Sequence, residues 1–540
     1  MSMVLHIKII AAALFCVMVF LQNKRYLHMA QLEGYKPNQY WWWLKANIMS
    51  IAKRHILFPA GALVLWIAVT LTGEKLLSAW ITLAVWCLIG GYVLYADLSS
   101  KQKAKKVLVF TQRASRLFAA ALILMVIWTA LGFIFIKSPA AYLLYISVLN
   151  FLMAFNMLLA VQLMFPVEML IQRGFYKSAQ RKISSMKDLK IIGITGSYGK
   201  TSTKYFVKTI LSEKYNTLMT PESYNTPMGI TRVIREQLNE EHEVFVCEMG
   251  ARYKKDIKTL VELVHPSIGI ITSIGPQHLE TLKSIENVAK TKFELVDGLP
   301  DSGTAILNGD NEWCRKNSKN YNLETWFYGI NDSNVDCMVT ARDVKNTRDG
   351  LKFTAVLKDG REILCHVPIL GKHNVSNILS GICVALKLGM TPEEIQRGIG
   401  KIKPVPHRLE IMVGANGVTI IDDAFNANPV GAKAALETIK EMEGGNRIVI
   451  TPGMVELGAI EQEEHRSFGR KIGECCDYAI LVGGKRTIPI AEGIRSTGFD
   501  ENKIFTAANL DEATIQLGKI VKPGDVVLFE NDLPDNYNGQ

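Results

Sequence analysis

Nine cysteines in 540 residues fall into no paired spacing, and two of them, Cys475 and Cys476, are adjacent. That arrangement suits neither a disulfide framework nor a zinc site, so all nine are read as reduced structural residues. Internal repeats and low-complexity tracts are not evident. The first apolar run lacks a small-residue cleavage site after Phe20; Asn23-Lys24-Arg25 comes next, and the run is expected to be a retained anchor. The soluble part has no basic groove interleaved with aromatics, so nucleic acid is not an expected partner. Lys+Arg outnumber Asp+Glu by 61 to 51, a net charge of +10, and much of the excess lies between long apolar runs in the first third. It therefore reads as membrane orientation.

Those runs cover residues 5–21, 56–72, 76–95, 117–136 and 140–165. Each is long enough, or nearly so, to cross a bilayer of roughly 30 Å. Between them, residues 23–55 carry Lys24, Arg25, Lys36, Lys45, Lys53 and Arg54 against Glu33 alone. Residues 96–116 carry Lys101, Lys103, Lys105, Lys106, Arg113 and Arg116 against Asp97, whereas 73–75 and 137–139 are short turns. The positive-inside rule makes the basic segments cytoplasmic and the N-terminus external, and an odd number of spans delivers everything after Phe165 to the cytoplasm. Tyr40-Trp41-Trp42-Trp43 in the first basic segment has two readings, an aromatic anchor at the headgroup level or a lipid-headgroup or polyprenyl contact, and nothing in the sequence separates them. The expected organisation is a transmembrane domain over 1–166, a linker over 167–188, a central domain over 189–405 and a C-terminal domain over 406–540.

After the apolar run 189–194 stands Thr195-Gly196-Ser197-Tyr198-Gly199-Lys200-Thr201-Ser202, which opens a helical pattern. Gly196 and Gly199 permit the backbone conformations that turn several N–H groups toward one anion, and the helix N-terminus adds a favourable dipole. Lys200 is then placed to reach terminal phosphates and the Thr201 hydroxyl to ligate Mg²⁺. A strict Walker A pattern needs a further glycine where this chain has Ile194. Downstream, β-branched runs at 244–247, 268–274 and 304–307 alternate with helical patterns, which predicts a mostly parallel sheet wrapped by helices. Ligands of such sheets gather at the C-terminal ends of the strands. There stand Glu248 and His278, either of which has a structural reading as well as a metal-binding one.

The phosphate loop, Glu248-Met249-Gly250-Ala251, His278-Leu279-Glu280 and Ala289-Lys290-Thr291-Lys292-Phe293-Glu294 together resemble the Mur ligase family, nearest to its D-alanyl-D-alanine-adding branch. Further matches are Leu307-Asn308-Gly309-Asp310-Asn311, the segment Gly371 to Asn377, His407-Arg408-Leu409, the segment Asp422 to Pro429, and Met454-Val455-Glu456-Leu457-Gly458. The resemblance implies an α-helical membrane domain followed by an α/β ligase, with a P-loop central domain and a Rossmann-like C-terminal domain. It implies an ATP- and Mg²⁺-dependent amide ligase acting through an acyl phosphate. By carry-over, Thr195, Gly196, Ser197, Gly199, Lys200, Thr201 and Ser202 hold the phosphates. Thr201, Glu248, His278 and a carbamylated Lys292 organise the metal. Asn308, Asp310, His373, Asn374, Asn377 and Arg408 shape the nucleotide site, and Asn225, Thr226, Asp423, Asn426 and Asn428 meet substrate. Lys200, Lys292, His278 and Glu248 carry the catalysis.

The chain departs from the family in place of its uridine-binding domain, where the apolar runs stand. That points to a carboxylate carried on a membrane lipid or a muramoyl peptide, joined to an amino acid or a D-alanyl-D-alanine-like amine at the cell membrane. Gly453 replaces an acidic residue, Phe425 a tyrosine, and the acidic tail from Leu528 to Tyr537 stands where a Lys-Gly-Ser-Arg segment is expected. Two rival readings are a membrane-tethered polymerising ligase of the poly-γ-glutamate type and a non-catalytic nucleotide-binding scaffold.

Overall fold

The computed structural model describes residues 2–72, 76–99, 107–222, 224–330, 335–347, 350–424, 428–442, 444–455 and 457–532. The chain divides into two compact units, Met1–Gly174 and Phe175–Gln540.

Among its described residues the first unit has helices and no strand: α1 (Ser2–Leu32), α2 (Pro37–His55), α3 (Leu57–Thr72), α4 (Leu76–Ser99), α5 (Gln112–Phe135), α6 (Pro139–Phe151) and α7 (Met153–Ser185). Thr111 and Ser138 accept from the backbone N–H of Ala114 and Ala141 and so start α5 and α6, with Pro139 preset for the first helical position. Its core is made by Phe15, Leu44, Phe58, Met125, Ile146 and Met157. Other large apolar side chains point outward, Leu71 at 82% exposure and Leu88 at 74% among them.

Five spans were expected; by length and composition three helices qualify among the described residues, Val4–Leu32, Gln112–Phe135 and Met153–Ser185, or four if the bent pair α2 and α3 counts as one. The run at 140–165 is not one helix. It breaks at Leu152, so that α6 is short and α7 takes the rest. The stretch expected as a linker is mostly helix, because α7 continues to Ser185. Its last turns belong to the second unit: Ala179 and Ile183 are buried there, and the Tyr176 hydroxyl donates to the Thr259 carbonyl at 3.1 Å.

The second unit contains two sheets. The larger has β1 (Lys190–Thr195), β2 (Thr217–Met219), β3 (Val244–Glu248), β4 (Ile268–Ile271), β5 (Thr304–Asn308), β6 (Glu324–Gly329), β7 (Cys337–Thr347), β8 (Gly350–Leu357) and β9 (Glu362–Val367). Their order is β2-β3-β1-β4-β5-β6-β7-β8-β9. It is parallel from β2 through β7, and β8 and β9 add an antiparallel edge. The parallel strands are continuous apolar runs because helices cover both faces. Phe206, Ile210, Ile378 and Ile382 from two of those helices pack on Ile192, Ile194, Val246 and Ile270.

The smaller sheet has β10 (Glu410–Val413), β11 (Thr419–Asp423), β12 (Arg447–Thr451), β13 (Tyr478–Val482), β14 (Ile504–Ala507) and β15 (Val526–Glu530), in the order β10-β11-β15-β12-β13-β14. Only β10 is antiparallel. Ile421, Val449, Leu481 and Leu528 meet Leu436 and Phe468 of the covering helices in its core.

Candidate active site

Because β1 lies between β3 and β4, three loops converge at one edge of the larger sheet. Ile194 pairs with Glu248 and Thr195 with Ile271. The phosphate loop is thus flanked by the loop after β3, which begins at Glu248, and the loop after β4, which carries His278.

The loop is held by its own polar groups. The Thr195 hydroxyl donates to the Met249 carbonyl at 2.9 Å, and the Ser197 hydroxyl donates to the Gly275 carbonyl at 3.0 Å while accepting from the Gly275 N–H. Gly196 has φ +149° and Gly199 φ +79°. A Cβ on Gly196 would lie 2.0 Å from Thr272 Oγ1, and one on Gly199 2.5 Å from Asn377 Oδ1. Gly196→Ala therefore combines a disfavoured φ with a clash, and is expected to destabilise the unit by about 1–3 kcal/mol. Thermal unfolding of the full-length protein in detergent reads this; an unchanged midpoint contradicts the tightness of the loop.

Gly199 caps the helix Lys200–Leu211, which starts at the loop. Lys200 folds back so that Nζ donates to the carbonyls of Gly196 at 2.7 Å and Ser197 at 3.3 Å. Burial pushes its ammonium down to about 8, with Arg408 adding to that and Glu248 opposing it. Thr201 Oγ1 donates to Glu248 Oε1 at 3.4 Å, Asn225 Nδ2 donates to the same oxygen at 3.2 Å, and Lys204 Nζ pairs with Oε2 at 3.0 Å. Burial acts to raise the Glu248 carboxyl, but Lys204 and Lys200 outweigh it and hold the group below its ordinary value.

Lys204 was not expected from the sequence, although it is four residues after Lys200 and so on the same helix face. Its side chain is 0% exposed. Glu248→Gln removes its counter-charge and is expected to cost about 3–5 kcal/mol of stability. A shift of less than a tenth of that in unfolding free energy would show that Lys204 does not depend on the pair.

Lys292 lies on the helix Ile285–Asp297 and is fully buried. Among the described residues no hydrogen bond or ion pair engages its nitrogen. Burial, then the Lys200 charge, lower its pKa well below the ordinary lysine value, against partial opposition from Asp256, Glu294 and Glu248. Burial thus favours the uncharged amine over the ammonium. His278 sits in a left-handed conformation, φ +55°, at the start of the short helix Leu279–Leu282.

The remaining expected residues divide between braces and open positions. Asn308 Nδ2 donates to the Thr272 carbonyl and to Ser376 Oγ, and Asp310 Oδ2 accepts from the Ile330 N–H. Asn374 and Asn377 bond to each other, and Asn377 Oδ1 accepts from Thr203, clasping the phosphate-loop helix against the helix His373–Lys387. These amides brace the elements around the loop. His373 is exposed on the first turn of its helix. Thr226 and Asn428 cap the helices Pro227–Glu236 and Pro429–Glu441, which occupies their side-chain oxygens with Gly229 and Gly431 N–H groups. Ser202 is buried beneath the loop. Asn426, with Phe425, lies outside the described residues.

Arg408 is half-buried just before β10. Burial lowers its pKa, while Asp423, Glu248 and Glu530 pull it upward, so it stands between the carboxylates of the two sheets. The oxygen donors Thr201 and Glu248, converging beside the loop, are the hard ligands that Mg²⁺ selects, and they fit such an ion.

Residues 194–385 match the Mur ligase middle domain, and residues 407–530 match the Mur ligase glutamate ligase domain. The UDP-N-acetylmuramoyl-tripeptide–D-alanyl-D-alanine ligase of Bacillus subtilis is 32% identical over 342 residues, 63% of this chain and 72% of that protein. The Escherichia coli ligase of the same name is 31% identical over 339 residues, 62% of this chain and 74% of its own. Among solved structures, MurF from Acinetobacter baumannii superposes with a TM-score of 0.60 at 25% identity, over 68% of this chain and 78% of that one. MurF from Thermotoga maritima in complex with ADP gives 0.59 at 25% identity, over 67% and 80%. The chain belongs to the Mur ligase family, ATP-dependent ligases that join an acid to an amino acid.

Proposed function

We propose that this protein is a membrane-tethered ligase that activates a muramoyl-peptide carboxylate, presented on a membrane lipid, and joins it to a D-alanyl-D-alanine-like amine in the cytoplasm. The observation that carries the reading is the meeting of a phosphate loop, the Glu248 carboxylate and a buried lysine within the matched middle domain. The substrate class is taken from the relatives' names. The membrane tether is supported by three helices of spanning length and by apolar side chains facing outward from the first unit.

The loop N–H groups and Lys200 hold the ATP phosphates, Lys200 exchanging the Gly196 and Ser197 carbonyls for phosphate oxygens. Thr201, Glu248, His278 and a carbamate on Lys292 are the groups that would hold Mg²⁺, which when bound neutralises charge on the transferring phosphoryl group. A carbamate forms when an uncharged amine adds CO₂, and burial shifts Lys292 toward that form. The substrate carboxylate takes the γ-phosphoryl group, and the amine then displaces phosphate from the acyl phosphate. No protein nucleophile takes part. Asn225, Asp423 and Asn426 are the residues assigned to the substrate by family resemblance, with Thr226 and Asn428 contributing through the helix starts they cap.

Hydroxylamine supplied in place of the amine should trap the activated carboxylate as a hydroxamate, one per ADP; ADP without hydroxamate would contradict an acyl phosphate. Lipid-linked muramoyl tripeptide should have a kcat/KM at least about ten-fold above that of the UDP-linked form, a difference of about 1.4 kcal/mol. Equal values would remove the membrane-linked substrate from the proposal.

A further inference from the structure

The smaller sheet ends in two carboxyl groups that phosphate transfer does not use. Asp423 closes β11 and Glu530 closes β15, and the two residues are in register on parallel neighbouring strands. Glu530 is 1% exposed, and neither of its carboxyl oxygens meets a hydrogen-bond donor among the described residues. Asp423, the half-buried member, accepts from the Leu409 N–H at 3.2 Å. The residue after the pair is fixed on both sides: the Asn531 N–H donates to the Asp423 carbonyl at 3.2 Å, and Asn531 Nδ2 donates to the Gly453 carbonyl at 2.6 Å.

The charged groups facing the pair are Arg408 and Asp422. Burial raises both carboxyls, Asp423 to about 6 and Glu530 well above its ordinary value, with Arg408 opposing. Two carboxyls this close disfavour each other's ionised form, and a cation between them relieves that. The C-terminal edge of a parallel sheet is where ligands collect. A cationic nitrogen there supplies the donors that the Glu530 oxygens lack.

We propose that Glu530 and Asp423 form the seat for the ammonium group of the amine substrate, and that Asp423 takes the proton it must lose before attack. This rests on the ligase reading. R–NH₃⁺ gives one proton to the Asp423 carboxylate and becomes R–NH₂. Its lone pair forms the C–N bond at the acyl carbon, the C–O bond to phosphate breaks with its electron pair leaving on phosphate, and the second nitrogen proton goes to that phosphate. Glu530 and Asp423 thereby select for a free amino group.

Two measurements on the full-length protein decide it. Calorimetry with a non-hydrolysable ATP analogue present should show D-alanyl-D-alanine binding at least ten-fold tighter than N-acetyl-D-alanyl-D-alanine, and Glu530→Gln should bring the two within two-fold. Equal binding of both by the wild type, binding of neither, or an unchanged ratio in the variant overturns the proposal. In the second, Glu530→Gln should raise the KM for D-alanyl-D-alanine at least ten-fold, with partial recovery in Glu530→Asp. It should leave hydroxamate formation from UDP-N-acetylmuramoyl-tripeptide unchanged, because hydroxylamine is uncharged at neutral pH and needs no ammonium seat. Equal loss of both activities overturns the proposal. Absence of hydroxamate in the wild type counts against the ligase reading instead, and the calorimetric comparison still judges the seat.

Discussion

Lys200→Ala is expected to lower ATP-dependent amide synthesis by about 10³-fold, the scale on which removal of one preorganised charge stabiliser acts. The Lys200 nitrogen is bound to two loop carbonyls, at 2.7 and 3.3 Å, and it sits where terminal phosphates would replace those carbonyls. In the absence of nucleotide its loss removes two part-buried hydrogen bonds, a change of about 1 kcal/mol. Turnover should thus collapse while the unfolding midpoint scarcely moves. Phosphate release and thermal unfolding, measured on the same preparation, check both halves. A loss below ten-fold would mean that the loop backbone alone carries the phosphate chemistry.

Lys292→Met should produce a loss of similar size, about 10²–10³-fold, with no loss of stability. The substitution conserves volume and replaces a buried, unpaired amine by an apolar group, so the fold is expected to hold or gain. The distinguishing readout is CO₂. Wild-type activity should fall in CO₂-depleted buffer and return with bicarbonate, and the variant should respond to neither. A carbamate carbon should appear by ¹³C NMR when the wild type is supplied with labelled CO₂. Full activity of the variant, or indifference of the wild type to CO₂, would make Lys292 a packing residue.

The α/β half was legible because two periodicities were clean. Buried parallel strands read as short apolar runs, and the runs at 189–194, 244–247 and 304–307 are the cores of β1, β3 and β5. The phosphate loop was legible because two glycines with positive φ are needed to fold it, and no other residue fits the space. The pairing of Lys204 with Glu248 was not, since a lysine one turn into a helix looks like a solvated charge until the neighbouring strand is in place. Asn374 and Asn377 read as nucleotide contacts, yet their amides are bonded to each other, to Leu370 and to Thr203, a tertiary arrangement that a motif does not reveal. In the helical unit, hydropathy gave the apolar stretches but not their breaks. Leu152 interrupts an apolar run without any change in composition, and α7 passes from apolar to basic residues without losing its helical hydrogen bonds.

The most direct test is phosphate release by the full-length protein in lipid nanodiscs, given ATP with the muramoyl tripeptide, with D-alanyl-D-alanine, or with both. Release should require both together, should be faster with the lipid-linked tripeptide, and should vanish in Lys200→Ala. ATP binding with release indifferent to every carboxylate and amine would contradict the account and leave a nucleotide-binding membrane scaffold.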